Sequence, residues 1–161
     1  MSASLRDSIP QIANPGNLDA SVQEAFALML GCECRRIAAS RFNAEDSLIA
    51  VVGFGGILSG ACVIRSSVPS AIRMTALITG MEIAALDATV QDALGEICNV
   101  IAGSWKSRIP ELAAHCALSV PAVISGNEYW IRVHPPESKL HHMYQFDEST
   151  FEVMIVCEGL R

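Results

Sequence analysis

Asp92, Glu96 and Asn99 carry the functional groups whose types and spacing stand out in this 161-residue chain. They lie in the run Asp92-Ala-Leu-Gly-Glu-Ile-Cys-Asn-Val-Ile-Ala-Gly-Ser-Trp-Lys106. At about 100° per residue, Asp92, Glu96, Asn99, Gly103 and Lys106 fall within roughly ±40° of one line on a helix. Val90, Leu94, Ile97, Cys98, Ile101 and Trp105 fall on the opposite arc. The pattern predicts a helix that buries one side and presents the other. The presented side offers charge and hydrogen bonding rather than a nucleophile. Gly95 and Gly103 each cost about 1 kcal/mol against alanine inside a helix. They flank the Glu96–Asn99 pair and leave the backbone open to close approach. Asn99 is a mediocre helix former with no capping task in mid-helix. Asp92 has a structural reading too: with Thr89 as N-cap it stands third in the helix, where a carboxylate favours the dipole.

Other chemistries find little support. Ser59 and Ser104 lack a nucleophile-elbow context. Gly53-Phe-Gly-Gly56 has neither the lysine nor the helix start of a phosphate loop. His134, His141 and His142 cluster near the end of the chain, but adjacent residues of a strand point to opposite faces, so they read as surface histidines, and no metal site is expected. Cys32, Cys34, Cys62, Cys98, Cys116 and Cys157 read as buried, reduced thiols of a cytoplasmic protein; the spacing of Cys32 and Cys34 is no zinc motif. Trp105 and Trp130 read as core. Hydrophobic residues make up 51% of the chain and charged ones 17%, which excludes disorder as the main state. The formal net charge of −6, with no run of three basic residues, argues against nucleic acid and against an anionic membrane surface. The first twenty residues show no secretory leader pattern. Ser47 to Ile64 is uncharged but holds four glycines, and reads as two strands rather than a membrane span. The low charged fraction predicts that a partner or a second copy covers some surface.

The elements that must position the pair follow from periodicity and turn residues. Residues 1–17 read as an irregular lead-in. Ser21-Val-Gln-Glu24 has the form of a capping box, and Val22, Ala25, Phe26, Met29 and Leu30 continue one helical face, predicting a helix over about 20–33. Arg35 to Phe42 reads as a strand and Asn43 to Asp46 as a turn. Leu48–Val52 and Ile57–Arg65 read as a hairpin around Gly53–Gly56. Ser67 and Pro69 open a helix that Gly80 closes. Asp87 or Thr89 opens the long helix, which Arg108-Ile-Pro110 breaks near Lys106. Strands are expected at Ala117–Ile124, Tyr129–His134, Leu140–Phe146 and Phe151–Cys157. A helix followed by about three strands thus occurs twice, which predicts one α+β domain over 1–161: two pseudo-repeated units, with helices on one face of an antiparallel sheet.

With these residues in view the chain resembles a family. Asp92-x-x-x-Glu96-x-x-Asn99 on a surface helix, followed some twenty residues later by Pro121 in Leu-Ser-Val-Pro, is similar to the signature of the CheC/CheX/FliY chemotaxis phosphatases. Ile78-Thr-Gly80-Met-Glu82 and Asn99-Val-Ile-Ala-Gly103-Ser-Trp-Lys106 resemble the CheX branch most, and the resemblance spans about residues 20–157. It implies a phosphatase acting on the aspartyl phosphate of a CheY-like response regulator. Asn99 then matches the residue that positions the attacking water, and Glu96 the acid that grips a regulator lysine. Asp92, Gly95, Gly103 and Lys106 become docking positions around the pair. No cofactor of its own is implied; Mg²⁺ is expected in the partner's site. The CheC branch carries a second Glu/Asn pair on its first helix, whereas here Glu24 is followed by Ala27 where asparagine is needed, so one site per chain is expected. A homodimer through an edge strand is implied as well. The rival reading is a non-catalytic dimeric adaptor that binds a receiver domain.

Overall fold

The computed structural model describes residues 3–38, 46–126 and 136–160. In chain order its elements are α1 (Ala3–Asp7), α2 (Ile9–Ile12), α3 (Pro15–Leu30), β1 (Arg35–Ile37), β2 (Ser47–Gly56), β3 (Ser59–Ser67), α4 (Val68–Thr79), α5 (Ala88–Ser107), α6 (Pro110–His115), β4 (Cys116–Leu118), β5 (Ala122–Gly126), β6 (Ser138–Phe146) and β7 (Ser149–Glu158). The strands form one sheet in the order β1-β6-β7-β3-β2-β4, with β5 also on β2, and every pairing is antiparallel. The two halves interlock. Exchanging β1 with β4–β5, β2 with β6, and β3 with β7 turns the strand order into its own reverse. The α+β repeat expected from the sequence is therefore present, with each unit's first strand lent to the other unit.

Alternation along the strands decides which face is covered. Leu48, Ala50, Val52 and Phe54 of β2 share a face with Cys62 and Ile64 of β3, Phe151, Val153, Ile155 and Cys157 of β7, and Leu140 and Tyr144 of β6. All belong to one buried core with Leu18, Val22 and Phe26 of α3 and the apolar arc of α5. Phe26 stacks on Phe151 at 4.6 Å between ring centroids, and Trp105 packs on Phe54 at 5.3 Å. Ile49, Val63, Met143 and Val156 point the other way and stand outside this core. The six thiols are free; five are buried, and burial pushes those of Cys34 and Cys157 up to about 12. Cys98, on the α5 arc, is completely buried, with its Sγ donating to the carbonyl oxygens of Cys62 (3.4 Å) and Ala50 (3.6 Å).

Several boundaries differ from expectation. The first long helix starts at Pro15, because Asn14 caps it, accepting from the Gly16 amide at 2.9 Å, and proline fits the first position. Ser21 is therefore mid-helix and buried, its hydroxyl given to the Asn17 carbonyl at 2.7 Å, and no capping box forms. Within the expected irregular lead-in over 1–17, the described residues 3–17 are largely helical: α1 and α2 bury Leu5 and Ile12, and α3 starts at Pro15. Gly53 to Gly56 belong to β2, and the hairpin turns at Ile57-Leu58. Gly56 (φ +88°) is needed where β2 meets β4, since a Cβ there would stand 2.3 Å from the His115 carbonyl oxygen. Described strand in Arg35–Phe42 is limited to β1, and the Tyr129–His134 strand and Trp130 lie outside the described residues. The expected strand over Ala117–Ile124 splits into β4 and β5. Leu118 faces Phe54 and Ala122 faces Val51, so four residue steps oppose three, and the extra residue makes a bulge at Ser119-Val120-Pro121.

Of the two expected caps for α5, Asp87 serves: its Oδ1 accepts from the Val90 amide at 3.1 Å. Asp92 is then the fifth helical residue, past the turn where the dipole acts, which corrects its first-turn role. Asp87→Ala is expected to lower unfolding stability by about 1 kcal/mol. Asp92→Ala should change it by less than about 0.5 kcal/mol. Urea denaturation of the two variants checks both values.

Candidate functional site

The apolar arc of α5 does what its spacing requires: Val90, Leu94, Ile97, Cys98, Ile101 and Trp105 are each at most 1% exposed. That burial turns the opposite stripe to solvent. Asp92 and Glu96 are exposed, while Asn99 and Gly103 are partly buried. Glu96 and Asn99 stand one turn apart, roughly 4.5 Å along the axis. Neither side chain makes a hydrogen bond or ion pair with another described residue, so both functional groups are free on a rigid backbone. Gly103 forms an open floor beyond Asn99, since a Cβ there would meet only Leu118 Cδ1, at 3.9 Å. A groove of ≈590 Å³ runs here, lined by Glu24, Asn99, Gly103, Ser107, Arg108 and Leu118 among others.

One wall of the groove is α3. Glu24 pairs with Arg108 and accepts from the Ser104 hydroxyl at 3.1 Å, and Arg108 Nε donates to Ser21 Oγ at 3.2 Å. Residues 21 and 24 thus face 108 and 104, so α3 and α5 run antiparallel. Arg108 was not singled out from sequence. Its partner lies 84 residues away, and the only local signal is a basic residue just past a helix end. On the other side the groove is lined by Leu118 of β4. The Gly53 amide donates to Ser119 Oγ at 2.8 Å, and the Ser119 amide donates to the Gly53 carbonyl at 2.9 Å. A Cβ on Gly95 would stand 3.3 Å from both Pro121 and Val123. Gly95 is buried in this contact. It is therefore a packing residue that lets α5 settle on β5. Lys106 is also separate from the pair: it lies about 10 Å along the axis from Asn99, and its Nζ donates to the Ala113 carbonyl of α6 at 3.4 Å. The structure brings together Glu96, Asn99 and Gly103, with Asp92 one turn beyond.

Comparison with known proteins places the chain among relatives of the same fold. A family model described as chemotaxis phosphatase CheX matches residues 48–146. A chain from Thermotoga maritima named CheY-P phosphatase CheX is 29% identical over 116 residues, covering 70% of this chain and 75% of that one. Two solved structures share the fold across most of both chains. One is a CheX–CheY–BeF3–Mg²⁺ complex from Borrelia burgdorferi, with a TM-score of 0.74 at 19% identity over 89% of this chain and 96% of that one. The other is chemotaxis protein CheX from Vibrio vulnificus, with a TM-score of 0.72 at 22% identity over 89% and 95%.

Neither His141 nor His142 lines the groove. His141 and His142 do point to opposite faces: His141 Nε2 lies 3.2 Å from Glu152 on the uncored side, whereas His142 turns inward to Asp19 of α3. His134 lies outside the described residues. Among the described residues no group of three or more His, Cys, Asp or Glu side chains could hold a metal ion. His142 is only 12% exposed, with Nδ1 3.1 Å from Asp19 Oδ1 and Nε2 3.3 Å from Arg36 Nη1. Arginine can only donate, so Nε2 accepts and Nδ1 carries the proton of a neutral ring. Tyr144 donates to the same Asp19 oxygen at 2.7 Å. Burial holds the His142 pKa below its ordinary 6.5; Asp19 opposes that shift and Arg36 adds to it. A base whose folded pKa is depressed favours the unfolded chain once protons bind. Its contribution is therefore fully present above about pH 6.5 and is lost as pH falls below it. Denaturant midpoints are expected to drop between about pH 7 and 5, and His142→Gln should flatten that slope.

Proposed function

The chain belongs to the CheX family of chemotaxis phosphatases, and from that premise we propose that it hydrolyses the aspartyl phosphate of a CheY-like response regulator at the Glu96–Asn99 stripe. The observation that carries this reading is the pair of unpartnered side chains on a helix whose opposite arc is wholly buried. Asn99 offers a carboxamide oxygen that accepts a hydrogen bond from water and an amide that donates to a phosphoryl oxygen. Held between the two, water lies in line with the bond to the aspartate. Its oxygen bonds to phosphorus as that bond breaks, its proton passes to solvent, and inorganic phosphate and a free carboxylate result. Such catalysis is mainly positioning, and an amide on a packed helix supplies it without a covalent intermediate. Glu96, one turn away, takes a basic side chain of the regulator and fixes the register of the two proteins.

No cofactor is assigned to this chain; Mg²⁺ belongs with the partner's acyl phosphate, and the Borrelia burgdorferi complex holds Mg²⁺ together with CheY. We assign one site per chain, because Glu24 is engaged with Arg108 and Ser104 and Ala27 offers no carboxamide. Residues 1–161 act as one domain, paired as a homodimer through a sheet edge, β1 or β4–β5. Among the described residues no helix is long and apolar enough to cross a membrane.

Asn99→Ala should fold and dock normally yet lose ~2–4 kcal/mol of transition-state stabilisation, roughly 30- to 1000-fold in turnover. Glu96→Ala should weaken capture of the regulator as well as turnover. Loss of aspartyl phosphate from a receiver, followed at saturating and sub-saturating concentrations, separates the two effects. Full activity in Asn99→Ala would overturn the water-positioning role, since no other residue on this stripe has a carboxamide; a wild type that binds the receiver without dephosphorylating it would favour the adaptor reading. Light scattering at micromolar concentration should return about twice the 17.2 kDa chain mass; a monomer would overturn the dimer.

A further inference from the structure

Among the described residues four large apolar side chains are exposed: Leu28 (74%), Met81, Val120 (86%) and Ile124. Two of them border the Glu96–Asn99 stripe from opposite sides. Gly103 faces Leu118 and Gly95 faces Pro121. Asn99 lies midway between these glycines, so the intervening Ser119-Val120 bulge runs beside the turn that carries it. On the other wall, Ser21 and Glu24 face Arg108 and Ser104. One turn further along α3, in the antiparallel sense, Leu28 stands level with Val100 and Asn99.

The bulge is built to hold Val120 outward. Its predecessor Ser119 is tied to Gly53 by two hydrogen bonds, and its successor Pro121 is seated at Gly95. A fully hydrated, β-branched side chain on a fixed backbone adds nothing to folding, but it is ready to bury area in a partner with little further ordering. Between the two apolar rims lie the free carboxylates of Asp92 and Glu96, while the nearby Glu24 is neutralised by Arg108. This arrangement suits a surface that carries a basic side chain flanked by apolar ones.

We infer that Val120 and Leu28 are the apolar docking rims for the phosphorylated regulator, set on either side of Asn99. The inference rests on the phosphatase reading above and adds to it the residues that decide affinity for the receiver. The occupant is the receiver domain, because the rims enclose the stripe that must reach its acyl phosphate. An apolar contact on each side also prevents rocking about the Glu96 ion pair.

The test measures binding of a beryllofluoride-loaded CheY receiver in Mg²⁺, together with dephosphorylation kinetics on the same receiver. Val120→Asp and Leu28→Asp should each raise Kd and KM by about tenfold or more. The value of kcat should stay within about twofold, and the thermal midpoint should not move. Val120→Ile should restore binding. Wild-type affinity in both aspartate variants overturns the inference, as does a lost dimer with receiver affinity intact, which would make the rims a contact between copies. A wild-type protein inert toward CheY receivers overturns the phosphatase reading itself. An active wild type with unaffected variants overturns only the rims.

Discussion

The close approach of α5 to β5 at Gly95 governs the geometry of everything on the solvent side of that helix. A glycine in mid-helix costs about 1 kcal/mol, and any side chain at this position would press on Pro121 and Val123 from 3.3 Å. The cost is offset within the same helix, where complete burial of a large apolar side chain contributes roughly 1.5–3 kcal/mol and five such residues besides Cys98 lie on the inner arc. With the arc in the core and the glycine against the bulge, α5 can neither roll nor lift. Asn99 is one turn from that contact, so its amide is placed by the packing of a rigid element. The proposed role, holding water in line, needs that precision, and a surface loop supplies less of it.

The ion pair of Glu24 with Arg108 works differently. Both side chains are partly exposed, and pairs of that kind contribute about 0–1 kcal/mol. Its consequence is geometric: with the hydroxyls of Ser21 and Ser104 it fixes the register of α3 against α5 and so the width of the groove beside Asn99. The same engagement takes out of play the one carboxylate that could have anchored a second pair on α3.

Much of the fold and the two-faced helix that carries the candidate site could be read from the residues because helical periodicity is local. The arc of Val90, Leu94, Ile97, Cys98, Ile101 and Trp105 is buried as its spacing requires, and the Ser67 cap and the Gly80 stop fall where turn chemistry puts them. What could not be read depends on contacts between distant segments. Gly95 and Gly103 look alike in sequence, each a glycine flanking the pair. Only the path of β5 makes Gly95 a packing contact and leaves Gly103 open. The Ser21–Glu24 pattern satisfies the capping-box rule, yet Asn14-Pro15 starts the helix two turns earlier and the burial of Leu18 extends the apolar face back to meet it. The bulge at Val120 has no local signal beyond a proline, because register is a property of two strands.

The interchange symmetry of the sheet makes α3 and α5 counterparts, one helix ahead of each set of strands, packed antiparallel. Two equivalent helices could each present a functional stripe, and the fold by itself has no reason to favour one. The asymmetry lies in the side chains. On α5, Glu96 and Asn99 have no partner among the described residues, and the helix ends in an arginine that reaches across. On α3, Glu24 receives that arginine and Ala27 presents a methyl group. The helix without a Glu/Asn pair forms a wall of the groove beside the helix that has one, and Leu28 on it is exposed. The proposal of one stripe per chain thus rests on how the two helices are joined, with the α3 carboxylate tied to the arginine that ends α5.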